Sequence, residues 1–188
     1  MKNLHIITPV KDSIDSTIQT IRAVLASQID VPYIYTIYND FSSAENTELL
    51  EKYSKELGFE LVNLADITDH PSPNYLLVLQ MAQKRAVESQ ASLLIVESDV
   101  IVESDTIQKL VDGATEREDC GIAASVTVDD NGDIKSMSEV DVNAYYNPMT
   151  NAVYIPSSVM FLLDEDDSYY ETQLTDYFVE DNKNSDNE

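Results

Sequence analysis

Glycine is scarce in this chain of 188 residues, which contains only four. Neither a G-x-G-x-x-G fingerprint nor a Walker A motif can be formed from their positions, and no G-x-S-x-G motif is present. The sequence therefore excludes the usual dinucleotide-binding, P-loop and α/β-hydrolase sites. The four glycines are Gly58, Gly113, Gly121 and Gly132.

Cysteine and histidine are almost absent as well. Cys120 is the single cysteine, so an intrachain disulfide cannot form, and the two histidines, His5 and His70, stand far apart in the sequence. This inventory excludes a Cys/His zinc cluster. The N-terminus has no signal-peptide core, and no stretch approaches the ~18 apolar residues of a transmembrane helix. We therefore expect a soluble, cytoplasmic protein.

Basic residues are also few, since 11 Lys and Arg stand against 35 Asp and Glu and give a net charge of -24. Nucleic acids and anionic membrane surfaces are bound through clustered Lys and Arg, so this composition argues against both as partners. If the ligand carries phosphate groups, their charge needs another neutraliser. The composition thus favours a divalent cation at any phosphate site.

What the chain does contain is a repeated alternation of strand and helix patterns. Short apolar, β-branched segments are each followed by apolar residues at helical spacing, four times in succession. This order predicts an α/β fold with a mainly parallel central sheet flanked by helices. The predicted strands cover residues 4–8, 33–38, 59–64, 93–96 and 121–128, with one further candidate at 152–155.

The C-terminal part of the chain differs in composition. Residues 164–188 contain ten acids and a single lysine, with no regular apolar pattern. We therefore predict one domain over residues 1–163 and an irregular, acidic, partly disordered tail over 164–188.

Three polar motifs stand where predicted strands end. The carboxyl ends of parallel strands meet at one edge of a sheet, which is where ligands bind in open α/β folds. Two acids one residue apart at such an edge suit a divalent cation, which in turn can bind a diphosphate. The motifs are Thr8-Pro9 after the first strand, Asn39-Asp40 after the second and Glu97-Ser98-Asp99 after the fourth.

With these motifs the chain resembles the GT-A fold glycosyltransferases of family 2, over roughly residues 3 to 130. The first strand resembles theirs, the loop after the second resembles their "NDGS" loop, and the end of the fourth resembles their acidic D-x-D motif. These segments are ITPVKD at 7–12, with Ile6 before it, YNDFSS at 38–43 and VESD at 96–99.

The resemblance implies a nucleotide-sugar site. Thr8 and Pro9 would line the nucleotide pocket, and Asp40 would accept a hydrogen bond from the base, typically a uracil imide. Asp99 would ligate Mn²⁺ or Mg²⁺ between the two phosphates. The donor would be a nucleotide sugar, with a UDP-sugar favoured, and the acceptor a saccharide or another hydroxyl compound.

Other positions are assigned less directly by the resemblance. Glu97 stands where the family usually has Asp and, with Ser98, would help to bind the ribose or the water shell of the metal. The catalytic base would come from Glu180-Asp181, although the acidic run at 164–167 competes for that role. Lys84-Arg85 lies near a basic position of the family, or else forms a solvated helix face.

Alternative interpretations stay open at this point. Asp99 could cap the loop before the fourth helix, and Asp40 could belong to an ordinary Asx-turn. The family's loop glycine is replaced by Phe41. The chain is therefore either a metal-assisted, inverting glycosyltransferase or an inactive nucleotide-sugar-binding or interaction module of the same fold. A sugar-phosphate nucleotidyltransferase is a third option, but its Gly-rich basic loop is replaced here by Pro9-Val10-Lys11-Asp12.

Overall fold

The computed structural model of the chain describes residues 3–116 and 120–125, and the backbone of two short strands at 145–147 and 152–156. Seven strands and four α-helices are formed in this part of the chain. In chain order they are β1 (Leu4–Val10), α1 (Ile14–Ala26), β2 (Tyr33–Asn39), α2 (Ala44–Leu57), β3 (Glu60–Asn63), a 3₁₀ turn (Leu64–Asp66), α3 (Tyr75–Glu88), β4 (Ser92–Ile95), α4 (Thr106–Glu116), β5 (Cys120–Ser125), β6 (Tyr145–Asn147) and β7 (Ala152–Pro156).

The first four strands form one parallel sheet in the order β3-β2-β1-β4. The predicted α/β fold with a parallel central sheet and flanking helices is therefore confirmed. The chain adds strands outward from β1 to β3 and then crosses back to place β4 on the other side of β1. Strands are therefore added on one side of β1 up to β3 and on its other side with β4. The position between β1 and β4 is the topological switch point, which is where open α/β sheets bind ligands.

Helices cover both faces of the parallel sheet. On one face, alternate β1 residues such as Ile6 and Val10 pack with Ile21 of α1, Leu50 of α2 and Ile107 of α4. Strands buried on both sides are apolar along nearly their whole length, which explains the continuous apolar runs seen in the sequence.

The opposite face of the sheet is covered by α3. Ile7 of β1 and Tyr38 of β2 pack there against Val78 and Ala82 of α3, together with Leu64. This packing fixes the start of α3 near the carboxyl ends of β1 and β2.

Pro9 does not end the first strand, contrary to the sequence prediction. β1 continues to Val10, so Thr8 and Pro9 lie within it. The ladder to β4 stops at the Ile7–Ile95 pair, and the last bond on that side runs from the Val96 amide to the Ile7 carbonyl. The backbone nitrogen of Pro9 faces the same side of β1 as the Ile7 carbonyl. Pro9 thus lies past the end of that ladder, where its missing N–H costs no hydrogen bond.

Helix α2 follows its N-cap Ser43, whose hydroxyl accepts from the Asn46 amide at 3.3 Å. The neighbouring Ser42 does not cap the helix. The Ser42 hydroxyl accepts instead from the backbone N–H of Asp12 at 2.8 Å. The helix ends at Gly58, which adopts the left-handed conformation with φ 83°.

The remaining strands form a separate sheet in the antiparallel order β5-β7-β6. The predicted further strand at 152–155 is confirmed as β7. The predicted domain boundary at 163 and the predicted acidic tail at 164–188 lie outside the described residues. Among the helices that the structure describes, none has the length and apolar character needed to cross a membrane.

Candidate functional site

The carboxyl ends of β1, β2 and β4 lie side by side at the switch point. The backbone N–H of Asp40 donates to the Val10 carbonyl at 2.7 Å, and that of Val96 donates to the Ile7 carbonyl at 2.9 Å. These bonds join the residues that follow β2 and β4 to the central strand. The predicted convergence of the strand ends is therefore present in the structure.

The loops after β1 and β2 are hydrogen-bonded to each other through Asp12. Its carboxylate accepts from the Ser43 amide at 2.8 Å and from the Asn46 side chain at 3.0 Å. The bond from the Ser43 amide, followed by that from Asn46, lowers the pKa of Asp12 below its usual value. The Lys11 ammonium donates to the Phe41 carbonyl and brings a positive charge to this edge.

Phe41 has a left-handed backbone, with φ 57°. Glycine adopts this conformation without strain, whereas a side chain with a Cβ does not. Its ring is half-buried and packs against the cluster that contains Ile7 and Tyr38. The loop therefore keeps the backbone shape for which glycine is suited, although the residue is phenylalanine.

Asp40 is buried, with 7% of its surface exposed, and its carboxylate accepts three hydrogen bonds. Oδ2 accepts from the Ser72 hydroxyl at 2.7 Å and from the Asn74 amide at 2.8 Å, and Oδ1 accepts from the Asn74 side chain at 2.7 Å. Burial raises the pKa of Asp40, but these bonds together outweigh it and hold the pKa below its usual value.

The bonds of Asp40 also bear on its predicted roles. They reach residues more than thirty positions further along the chain, whereas the local side-chain bond is made by Asn39, which accepts from the Ser42 amide at 3.2 Å. The Asp40 carboxylate therefore does not form an Asx-turn. Since each carboxylate oxygen has two acceptor positions, Oδ1 has the capacity for one further hydrogen bond. Its role as acceptor from a base stays a prediction.

Thr8 faces the interior rather than the edge of the sheet. It is fully buried, and its hydroxyl pairs with the Tyr35 hydroxyl at 2.9 Å. Burial raises the pKa of Tyr35 to about 12. Pro9, next along β1, is half-buried. The side chain of Thr8 is thus engaged in the core, and any contact with a nucleotide would fall to its backbone or to Pro9.

The acids after β4 are at the surface. Glu97 and Asp99 are exposed and Ser98 is half-buried. Helix α4 begins only at Thr106, so Asp99 does not cap it. Among the described residues, the Asp99 carboxylate has no hydrogen-bond or ion-pair partner of its own. It is therefore accessible to an external cation.

Tyr75 contacts the acidic segment after β4, which the sequence did not reveal. It is the first residue of α3, and its hydroxyl donates to Glu97 Oε1 at 2.9 Å. Burial, followed by the hydrogen bond to Glu97 and its charge, raises the pKa of Tyr75 to about 12. Ser72 and Asn74 were missed in the same way. Their position just before a predicted helix was the only indication in the sequence that Ser72 and Asn74 could form hydrogen bonds at a helix start. That position does not identify Asp40, at the end of another strand, as their partner.

The donor set at this edge suits a hard cation that is shared with a substrate. Within the described ranges, no group of three or more His, Cys, Asp or Glu side chains could hold a metal ion. Mg²⁺ is commonly bound by one or two carboxylates together with substrate phosphates. Asp99 and Glu97 fit that arrangement and do not fit a cage built from protein ligands alone.

Two other predicted groups lie elsewhere. Arg85 forms a bidentate ion pair with Glu60, at 2.5 and 3.1 Å, beside the start of β3 rather than at the carboxyl edge. Lys84 is exposed, as expected for a solvated helix face. Glu180 and Asp181, the predicted catalytic base pair, lie outside the described residues.

No family model and no curated protein sequence matches the chain. Among solved structures, the chain is similar to the mannosyltransferase PcManGT from Pyrobaculum calidifontis, in complex with GDP-Man and Mn²⁺. That match has a TM-score of 0.52 and 14% identity, and covers 67% of this chain and 35% of the other.

Two structures of S. aureus TarS 1-349 also match. One has a TM-score of 0.49 and 18% identity over 82% of this chain and 47% of that one. The other, in complex with UDP-GlcNAc, has a TM-score of 0.47 and 19% identity over 77% and 39%. This chain therefore spans less than half the length of these proteins. The parallel sheet order and the match to the mannosyltransferase together show that the chain has a GT-A-like fold, the fold of nucleotide-sugar transferases.

Proposed function

We propose that the chain binds a nucleotide sugar at the carboxyl edge of the parallel sheet and transfers its sugar to an acceptor hydroxyl, with inversion at the anomeric carbon. The observation that carries the proposal is that the segments after β2 and β4 meet at the switch point, where residues 72–75 bond to both Asp40 and Glu97. A UDP-sugar is the favoured donor, and the acceptor is a saccharide or another hydroxyl compound.

Each residue has a distinct part in the proposed site. Asp40 offers its free acceptor position on Oδ1 to the imide N–H of the base, because its other bonds keep it ionised and fixed. Pro9 and the backbone of Thr8 line the base and ribose, and Ser98 and Glu97 contact the ribose or ordered water. The ammonium of Lys11, at the same edge, reduces the repulsion that a diphosphate would meet from a chain of net charge -24.

Asp99 would hold a Mn²⁺ or Mg²⁺ ion and Glu97 would hold its water shell; when bound, the ion supplies positive charge to the departing nucleoside diphosphate. The mannosyltransferase with the similar fold is in complex with Mn²⁺, which supports a divalent ion here. Glu180 or Asp181 is proposed as the base that removes the proton from the acceptor hydroxyl.

Calorimetry with UDP, GDP and CDP, each with and without Mn²⁺, tests the binding part of this proposal. We expect UDP to bind and Mn²⁺ to strengthen its binding. A folded sample that binds none of the three nucleotides in the presence of Mn²⁺ would refute it.

The second candidate function is nucleotide-sugar binding without transfer. It is favoured by the replacement of the usual first Asp of the acidic motif by Glu97 and by the engagement of that side chain with Tyr75. It predicts nucleotide binding without turnover. Release of UDP from a UDP-sugar above the uncatalysed rate, abolished by Asp99→Asn, would exclude this alternative.

A further inference from the structure

Residues 72–75 contact both acidic positions of the site. Ser72 and Asn74 donate three hydrogen bonds to Asp40, and the next residue, Tyr75, donates to Glu97 at 2.9 Å. Asp40 follows β2 and Glu97 follows β4, on opposite sides of the central strand β1. Four consecutive residues, named here the 72–75 segment, therefore connect the two sides of the switch point.

The two ends of this connection differ in burial. Asp40 and Asn74 are 7% and 9% exposed, and the first turns of α3 are held against the sheet by Val78, which is fully buried. The backbone at Tyr75 is therefore fixed from the buried side. The Tyr75 side chain is 43% exposed and reaches a surface glutamate, which would otherwise sample many rotamers.

We propose that the 72–75 segment couples the base-side carboxylate Asp40 to the metal-side carboxylate Glu97, with Tyr75 as the positioning residue. This inference rests on the proposed function, because its ligands are a nucleoside diphosphate and a divalent cation. The Tyr75 hydroxyl occupies Oε1 of Glu97 and leaves Oε2 for the cation or its water shell. Because Asp40 is already fixed by its buried bonds, the segment holds Tyr75, and through it Glu97, in position for the cation that would bind with the nucleotide.

The coupling gives Tyr75 a measurable effect that a purely structural role would not have. Replacing a residue that orients a metal ligand commonly costs about 10- to 100-fold in metal affinity. Tyr75→Phe removes the hydroxyl and keeps the ring, so α3 retains its packing. A matched control is Tyr33→Phe, since Tyr33 is similarly exposed, at 37%, but stands at the opposite end of β2.

The test is a Mn²⁺ titration followed by electron paramagnetic resonance of the free ion, without nucleotide and with saturating UDP. We expect Tyr75→Phe to weaken Mn²⁺ binding in the presence of UDP by about tenfold, and Tyr33→Phe to leave it unchanged. We expect Ser72→Ala to weaken it in the same direction and Ser72→Thr, which keeps the hydroxyl, to restore it. In a Glu97→Ala background, where position 97 has no acceptor for the Tyr75 hydroxyl, Tyr75→Phe should have little further effect.

The outcomes separate this inference from the function on which it rests. If the wild-type chain binds Mn²⁺ with UDP and Tyr75→Phe binds it equally well, the coupling is refuted and the proposed function stands. If Tyr75→Phe has the same effect with Ala at position 97 as with Glu, Tyr75 does not act through Glu97, and the inference is again wrong. If the wild-type chain shows no UDP-dependent Mn²⁺ binding, both fail together.

Discussion

Asn74 donates two hydrogen bonds to Asp40, one from its backbone at 2.8 Å and one from its side chain at 2.7 Å. The pair lies 34 residues apart in the chain and joins the start of α3 to the end of β2. Both residues are buried, so water does not compete for these bonds. The relationship makes Asp40 a structural acid as well as a candidate ligand for a base.

Asp40→Asn should destabilise the fold, because the amide places donor hydrogens where the carboxylate accepted from Ser72 and Asn74. Leaving a buried donor unsatisfied costs about 1–3 kcal/mol. Urea unfolding measures this difference. The control is Asp69→Asn, at an exposed position, which should change the free energy of unfolding by less than about 0.5 kcal/mol. Equal stabilities for the two variants would contradict the role given to Asp40.

Phe41→Gly and Phe41→Ala separate backbone strain from ring packing. Both variants lose the contacts of the ring and should be less stable than the wild type. At φ 57°, however, alanine keeps the left-handed penalty and glycine does not. We therefore expect Phe41→Gly to be more stable than Phe41→Ala by about 1 kcal/mol in chemical unfolding. An alanine variant as stable as the glycine variant would show that this backbone conformation is not maintained.

Asp12 should contribute to acid sensitivity. Its pKa is lowered in the folded state from 3.8, first by the Ser43 amide and then by Asn46, so the stability it adds is present above about pH 4. This contribution is lost as the pH falls through the lower folded-state pKa. Thermal unfolding of Asp12→Asn between about pH 5 and pH 2.5 should therefore show a shallower loss of stability than the wild type. Identical slopes would contradict the prediction.

His5 should make the stability of the fold depend on pH in a higher range than Asp12 does. It is buried, and its Nε2 lies 3.3 Å from the Ser89 hydroxyl. Burial, followed by the charge of Arg85, lowers its pKa from 6.5, against a smaller opposing effect of Glu60. A histidine with a lowered folded-state pKa loses stability as the pH falls below its unfolded value.

The wild type should therefore become less stable as the pH falls below about 6.5, and His5→Gln should not show this step. Melting temperatures measured from pH 8 to pH 5 provide the comparison. His70→Gln, at an exposed position, is the matched control and should keep the step. A wild-type profile that is flat over this range would contradict the assignment to His5.

The strands and helices of the parallel sheet could be predicted from sequence because burial on two faces requires continuous apolar strands and amphipathic helices. The end of β1 could not, since the tolerance of Pro9 depends on where the neighbouring ladder to β4 stops. The strand-end rule likewise predicted, without reference to side chains, that the segments after β2 and β4 meet at one edge.

The contacts within the site could not be predicted. Asp40 bonds to Ser72 and Asn74, and Glu97 bonds to Tyr75, because a loop after β3 crosses the edge of the sheet. Such pairings depend on the path of the loop, which no local pattern of apolar or polar residues specifies. Thr8 shows the same limit, since its motif position suggested a ligand contact while its hydroxyl pairs with Tyr35 in the core.

The most direct measurement is calorimetry of UDP binding to Asp99→Asn and to Glu103→Gln, each with and without Mn²⁺. Both variants remove one exposed negative charge from the segment after β4, but only Asp99 belongs to the proposed metal site. We predict that Mn²⁺ strengthens UDP binding to the wild type and to Glu103→Gln, and that Asp99→Asn loses at least about tenfold of that gain. A Mn²⁺-dependent gain in Asp99→Asn equal to that of the wild type would contradict the assignment of this edge as a metal-assisted nucleotide-sugar site.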